Sequence, residues 1–207
     1  TGALKLISEA RNSGGGISGI PTGFTDLDRL TGGWQRSDLI IVAARPSMGK
    51  TAFVLSMARN MAVDYQIPVA IFSLEMSSIQ LVQRLISAEA EIEADKLRKG
   101  ELAEYQMHQL HQRTTKISDA PIFIDDTPAL SIFELRAKCR RLKAQHGIQA
   151  VIIDYLQLMS AGMDNKSGNR EQEISTISRN IKSIAKELEI PIIALSQLSR
   201  QVETRSG

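Results

Sequence analysis

Beyond residue 20 the chain carries five short apolar runs, at 39–44, 69–74, 122–124, 150–154 and 192–195, built mainly from Ile, Val, Leu and Ala. Polar residues do not alternate within them, which is the pattern of strands covered on both faces. Stretches of helical character separate the runs, at 51–65, 78–91, 102–117, 131–146 and 171–189. Alternation of this kind predicts an α/β domain with a mainly parallel central sheet and helices on both faces. Right-handed crossovers then gather the functional loops at the carboxyl ends of the strands.

Both ends of the chain read differently. Residues 1–11 have the makings of a short amphipathic helix, with Leu4, Leu6 and Ile7 apolar, and the Gly- and Ser-rich stretch 12–19 reads as a flexible tether. Such a helix either docks on another body or frays, and the sequence leaves both open. The division expected is therefore 1–19 as linker helix and linker, and 20–207 as the domain proper. The segments 160–170 and 199–207 are polar and irregular. The open tail, and a start at Thr1 rather than Met, suggest a C-terminally incomplete domain excised from something longer.

Composition narrows this picture without changing it. A chain of 207 residues, 43% hydrophobic and 23% charged, suits one globular domain and is too short for two comfortable ones. No apolar run approaches the ~20 residues that a membrane helix needs, so no membrane partner is expected. Cys139 is the sole cysteine, which excludes an internal disulfide and suits a reducing cytoplasm. With Arg140 and Arg141 beside it the thiol has cationic neighbours, but a packed structural cysteine is the reading preferred. A net charge of +2, from 25 basic and 23 acidic residues, is too balanced to argue for nucleic acid by itself.

The strongest chemical signal is Ala44-Arg45-Pro46-Ser47-Met48-Gly49-Lys50-Thr51, placed after a predicted strand and before a predicted helix. It matches the phosphate-cradling loop of P-loop enzymes, with Ala44 in the place of the first glycine. Successive backbone N–H groups wrap phosphates there, and the helix that follows points its positive end at them. The candidate ATP-binding residues are thus Ala44, Ser47, Met48, Gly49, Lys50, Thr51 and Ala52, with Lys50 reaching the terminal phosphates and Thr51 offering a hydroxyl to Mg²⁺. Alanine at position 44 requires that this residue keep a negative φ. A second apolar strand, Val151-Ile152-Ile153-Asp154, ends in a carboxylate placed to hold Mg²⁺ opposite that loop.

Hydrolysis also needs a group to orient or deprotonate water. The position after Asp154 is Tyr155, which leaves that role to another strand tip. Glu75, in Phe72-Ser73-Leu74-Glu75-Met76-Ser77, is the candidate base, and a helix-capping carboxylate is the plainer alternative. Gln197, in Ala194-Leu195-Ser196-Gln197, ends a third apolar run with an amide able to contact a γ-phosphate.

Together these segments resemble the DnaB family of bacterial replicative helicases. The resemblance runs from about Gly19 to the end, through Thr22-Gly23-Phe24, Leu27-Asp28, Gly32-Gly33, the Arg45-to-Thr51 loop, Ser73-Leu74-Glu75-Met76, Ile153-Asp154-Tyr155-Leu156-Gln157-Leu158 and Ser196-Gln197-Leu198-Ser199-Arg200. It implies a RecA-like P-loop ATPase that works as a homo-hexameric ring on single-stranded and forked DNA, in the cytoplasm at the nucleoid, with primase and a helicase loader as partners. It assigns Lys50 and Thr51 to phosphates and Mg²⁺, Glu75 as catalytic base, Asp154 as the Mg²⁺ carboxylate and Gln197 as the γ-phosphate sensor. Arg84 matches an arginine that lies against the nucleotide base, with a solvated helix face as the ordinary alternative. The helix at 4–11 matches a linker helix that docks on the neighbouring subunit. The family's N-terminal collar domain is missing from the sequence, and so is the segment expected to carry a principal DNA loop and the arginine finger.

Lys166 and Arg170, in the 160–170 loop, are the candidate DNA contacts, with a surface loop as the alternative. His108 and His111 lack a third ligand at zinc spacing. Asp125 and Asp126 are expected to form a turn and cap the helix starting near Ser131, and the basic stretch 138–143 to be a solvated helix face. No role for Trp34 follows from the sequence. Two other functions fit the loop chemistry: a RecA-like repair or recombination ATPase, and a nucleotide switch that does no mechanical work.

Overall fold

The computed structural model describes residues 16–159 and 170–198, together with Ser8. The helix expected over 1–11, the loop residues 160–169 with Lys166, and the tail 199–207 lie outside the described residues.

All five apolar runs form strands: β1 Leu39–Ala44, β2 Val69–Ser73, β3 Ile122–Asp125, β4 Ala150–Asp154 and β5 Ile192–Gln197. They make one sheet in the order β1-β5-β4-β2-β3, and every pairing is parallel. The helices are α1 Thr25–Thr31, α2 Lys50–Arg59 (continued by a π turn at Asn60–Asp64), α3 Ser78–Ala90, α4 Ala94–Lys99, α5 Glu104–Ser118, α6 Ile132–His146 and α7 Arg170–Leu188. Neither α1, of 7 residues, nor α4, of 6, was expected, because so few positions display no helical period.

The uninterrupted apolar runs are resolved by the pleat into two faces. Ala70 and Phe72, Val151 and Ile153, and Ile192 and Ala194 point to one core, while Val69 and Ile71, Ala150 and Ile152, and Ile193 and Leu195 point to the other. The first core is closed by α6 and α7, the second by α2, α3 and α5. On α7 the buried positions Ile177, Ile181, Ile184 and Leu188 form one stripe at helical spacing. Both faces are covered over the central strands β2, β4 and most of β5, as the lack of alternation requires, whereas the edge strand β1 leaves Ile41 and Ala43 exposed.

The segment before β1 is a lid over α2. Asp28, 3% exposed, accepts from the Thr22 N–H at 2.8 Å, the Thr22 hydroxyl at 2.8 Å and the Gly23 N–H at 3.1 Å. This folds Phe24 onto Phe53 of α2, ring centroids 5.0 Å apart, and Asn60 ties down the Thr22 carbonyl at 3.2 Å. Trp34 has a structural role here: it bridges to Ile20, packs on the second core and directs its indole N–H to Met57 Sδ at 3.2 Å. Asp28→Ala would strand three donors, and we expect a loss of roughly 3 kcal/mol, seen as a fall in Tm of roughly 6–12 °C. A melt unchanged within a degree or two would show that the lid does not depend on this carboxylate.

Two expectations are corrected. The basic stretch of α6 is not simply solvated: Lys138 pairs with Asp125 at 2.5 Å, Arg140 pairs with Glu187 of α7, and Lys143 donates to the Leu188 carbonyl. These long side chains lock α6 to α7 and to the end of β3. Burial pushes the Asp125 carboxyl up, but hydrogen bonds from Lys138 and Thr127 outweigh it and hold the pKa below its ordinary value. The turn expected at Asp125 is present, since that side chain accepts from the Thr127 N–H at 3.1 Å. The cap on α6, however, is Ser131 with Glu134, and Asp126 instead accepts from the Ser78 N–H of α3 at 2.7 Å. Cys139 is fully buried, and burial raises its pKa to about 12, which fits a packed, unreactive thiol.

Candidate active site

Four neighbouring strands, β1, β5, β4 and β2, end side by side, and each delivers one element of the predicted chemistry. Adjacent strands lie about 4.8 Å apart, so the four tips span roughly 14 Å, the scale of a triphosphate with its metal. The register aligns Ala44 with Gln197 and Ser73 with Asp154. Sheet order, rather than closeness in sequence, brings these residues together.

At β1, Ala44 keeps the extended conformation that alanine there requires. The chain then turns through Ser47 at φ 63° and Gly49 at φ 79°, and Gly49 starts α2 from the left-handed region. A Cβ on Gly49 would meet no protein atom within 4 Å, so the demand for glycine comes from φ and from the open space above the loop. Lys50 lies back along the strand ends, donating to the Ala44 carbonyl at 2.9 Å and the Ser196 carbonyl at 3.4 Å. Met48 is 70% exposed at the loop's crest.

Thr51, one residue into α2, donates its hydroxyl to Asp154 Oδ2 at 2.9 Å. Asp154 is 3% exposed. Burial is the largest influence and raises its pKa; the Thr51 hydrogen bond, Lys50 and Arg84 pull it down, while Glu75 pushes it up. The net result is a carboxyl above its ordinary value, poised to gain from an arriving cation. An octahedral Mg²⁺ with bonds of about 2.0–2.1 Å sets neighbouring ligand oxygens about 2.9 Å apart. The two oxygens present have that separation, and both are hard donors, so this pair fits the ion. Among the described residues no three His, Cys, Asp or Glu side chains cluster as ligands, so an ion here would complete its shell with phosphate and water.

Glu75 follows β2 in a turn pinned by Ser73, whose hydroxyl donates to the Met76 carbonyl at 2.7 Å and accepts from the Met76 N–H at 3.2 Å. It is not a cap: Ser77 and Gln80 form the capping box of α3. Glu75, Arg84, Asp154, Tyr155 and Gln197 line one cleft with Ser47, Gly49, Lys50, Thr51 and Ala52, about 530 Å³ in volume. Tyr155 packs partly against the second core as well. A neighbouring cleft of about 500 Å³, which shares Ala52 and Arg84, runs between α2 and α3 and holds the ion pair of the partly exposed Arg59 with the buried Glu89 at 2.6 Å.

The structure therefore gathers Ser47, Gly49, Lys50, Thr51, Ala52, Glu75, Arg84, Asp154 and Gln197 around one space. Arg170 opens α7, and Lys166 is not among the described residues. Sequence reasoning missed Gln80, which lines the cleft, and Gln157, whose amide meets Ser196 and Gln197. Only the Ser77–Gln80 spacing gave a local signal for the first.

Comparison with known proteins gives a consistent picture. The family model described as the DnaB-like helicase C terminal domain matches residues 19–207. The replicative DNA helicase DnaB of Rhodothermus marinus is 60% identical over 206 residues, covering 99% of this chain and 22% of that protein. The replicative DNA helicase DnaC of Bacillus subtilis is 55% identical over 199 residues, covering 96% of this chain and 44% of that protein. The chain thus spans less than half the length of these relatives. A solved DnaB-like replicative helicase, studied with its interactions with primase, superposes with a TM-score of 0.89 at 40% identity, over 99% of this chain and 49% of that one. A solved ATPase domain superposes with a TM-score of 0.91 at 40% identity, over 99% of this chain and 72% of that one.

Proposed function

Because the chain belongs to the DnaB-like helicase C-terminal domain family, we propose that it is the ATP-hydrolysing motor of a replicative DNA helicase, translocating on single-stranded DNA and unwinding the duplex at a fork. The observation that carries this reading is the convergence of Lys50, Thr51, Glu75, Asp154 and Gln197 from four adjacent strand tips on one cleft. A nucleotide switch needs the phosphate loop alone. A motor needs a base, a metal carboxylate and a residue that feels the outermost phosphate, each on a separate element able to pass on the change.

In this reading the backbone from Ser47 to Ala52 holds the phosphates of ATP, and Lys50 swings from its carbonyl partners to the terminal ones. Thr51 and Asp154 hold Mg²⁺, whose chemistry is to neutralise charge that builds on the leaving phosphates. Glu75 accepts the proton of the attacking water, Gln197 contacts the γ-phosphate, and Arg84 lies against the base. Lys166 and Arg170 would meet DNA phosphates inside a homo-hexameric ring. Primase and a loader as partners, and action on DNA in the cytoplasm, belong to the same proposal.

The test is a forked-duplex displacement assay on the ring-forming full-length protein with ATP and Mg²⁺. ATP-dependent strand displacement, lost on adding Glu75→Gln, supports the motor. Nucleotide binding without turnover would leave a switch, and open filaments on DNA without displacement would favour a recombination ATPase.

A further inference from the structure

Gln157 belongs to none of the roles assigned above, although it stands in the same segment as Asp154. It sits on the 3₁₀ turn Leu156–Leu158 that follows β4. Its side chain crosses to β5: Nε2 donates to Ser196 Oγ at 2.9 Å and to the Gln197 carbonyl at 3.1 Å, and Oε1 accepts from the Gln197 N–H at 3.3 Å. Both ends of one amide thus meet two consecutive residues, in the manner of one strand pairing with another.

The sheet explains why such a bond is placed there. On the β1 side the ladder continues to the very end of β5, through Ser196 opposite Ala43 and Gln197 opposite Ala44. On the β4 side it stops at Ile153 opposite Ala194. Beyond Ala194, the last three residues of β5 therefore have a backbone ladder on one edge only, and at the final two, Ser196 and Gln197, the Gln157 amide takes the place of the other. The Ser196 carbonyl also receives Lys50 Nζ. What Gln157 holds is the pair of residues that meets both the phosphate lysine and the sensor position.

We propose that Gln157 is a positioning residue that replaces the missing ladder bonds of β4 and fixes Gln197 at the height from which it meets the γ-phosphate. This rests on the reading of Gln197 as that contact. The α- and β-phosphates are held by the loop after β1, so releasing the clamp should slow turnover and spare nucleotide affinity.

The test is a double-mutant cycle in the full-length protein with Gln157→Leu, Gln197→Ala and the two combined, reading kcat for ATP and affinity for a fluorescent ADP. Gln157→Leu alone, which removes all three hydrogen bonds to Ser196 and Gln197, should lower kcat at least about tenfold, with ADP binding unchanged. In the Gln197→Ala background the same change should cost nothing further. Ser196→Ala, which removes one acceptor and little else, should give a smaller loss in the same direction and serves where Gln157→Leu folds poorly. Equal, multiplying losses in both backgrounds, or ADP binding weakened as much as turnover, would reduce Gln157 to a structural residue and overturn the proposal. A slow Gln197→Ala beside fully active Gln157→Leu and Ser196→Ala would sink the clamp alone. Full turnover in Gln197→Ala would remove the sensor reading, and the clamp with it.

Discussion

Glu75→Gln is expected to lower ATP turnover by about 10²–10⁴-fold, the usual worth of a positioned general base, while nucleotide binding persists. The substitution keeps shape and removes only the capacity to take a proton. The turn that carries residue 75 is set by Ser73 and Met76, and α3 by Ser77, Gln80 and Asp126, so its geometry does not depend on the carboxylate. The phosphate loop and Thr51 lie across the cleft on β1 and α2 and keep their partners. No other acid takes over, because the residue beyond Asp154 is Tyr155, and Asp154 itself is engaged with Thr51. Loss of the negative charge at 75 also removes an influence that raises the Asp154 pKa, so metal-dependent binding should hold or strengthen. Steady-state hydrolysis beside binding of a fluorescent ATP measures both. Turnover retained within a few-fold would take Glu75 out of the reaction and leave the motor without a base.

What the sequence made legible was whatever is encoded locally. Each strand tip announces itself through an apolar run that ends in a polar residue, and the phosphate loop through its strand–turn–helix setting, so Lys50, Thr51, Asp154, Glu75 and Gln197 stand out as candidates one at a time. Their order across the sheet was not legible. That Gln197 stands between the phosphate loop and Asp154 follows from β5 inserting between β1 and β4, a matter of crossover topology. Side-chain bonds between distant segments were hidden for the same reason. Asp126 was expected to cap the next helix along the chain, and it caps α3, 48 residues back. The cations of α6 looked like a wet face because Glu187 and the Leu188 carbonyl, their partners, lie on α7. Trp34 was opaque until Met57 and Ile20 stood beside it. Short helices escaped on other grounds: α1 and α4, of 7 and 6 residues, are too short to show an apolar stripe.

Asp154→Asn should move activity and stability in opposite directions. The folded carboxyl has a raised pKa, chiefly because it is buried. A raised folded value means that the native chain holds this proton to higher pH than the unfolded chain does. Its contribution to stability is therefore fully present below the unfolded pKa and is lost as pH climbs through the folded one. At neutral pH the ionised group weighs against the fold, relieved in part by the Thr51 hydroxyl, Lys50 and Arg84. The neutral amide keeps an oxygen for the Thr51 hydroxyl and sheds the buried charge, so the nucleotide-free chain should melt higher at pH 7, and the gain should shrink as pH falls toward the ordinary carboxylate range. Hydrolysis should fall by roughly 10²–10³-fold, since charge neutralisation by a bound metal is worth several kcal/mol in a transition state. Stabilisation of the chain by MgATP, a large upward shift for the parent, should shrink for the variant, because one of the two oxygens spaced for the ion has lost its charge. Melting curves between pH 4 and 8, with and without MgATP, read both effects in one experiment. A variant that melts lower than its parent at pH 7 without nucleotide would mean that the carboxylate is compensated by its neighbours in full, and that Asp154 is retained as a structural anion rather than as a site held ready for a cation.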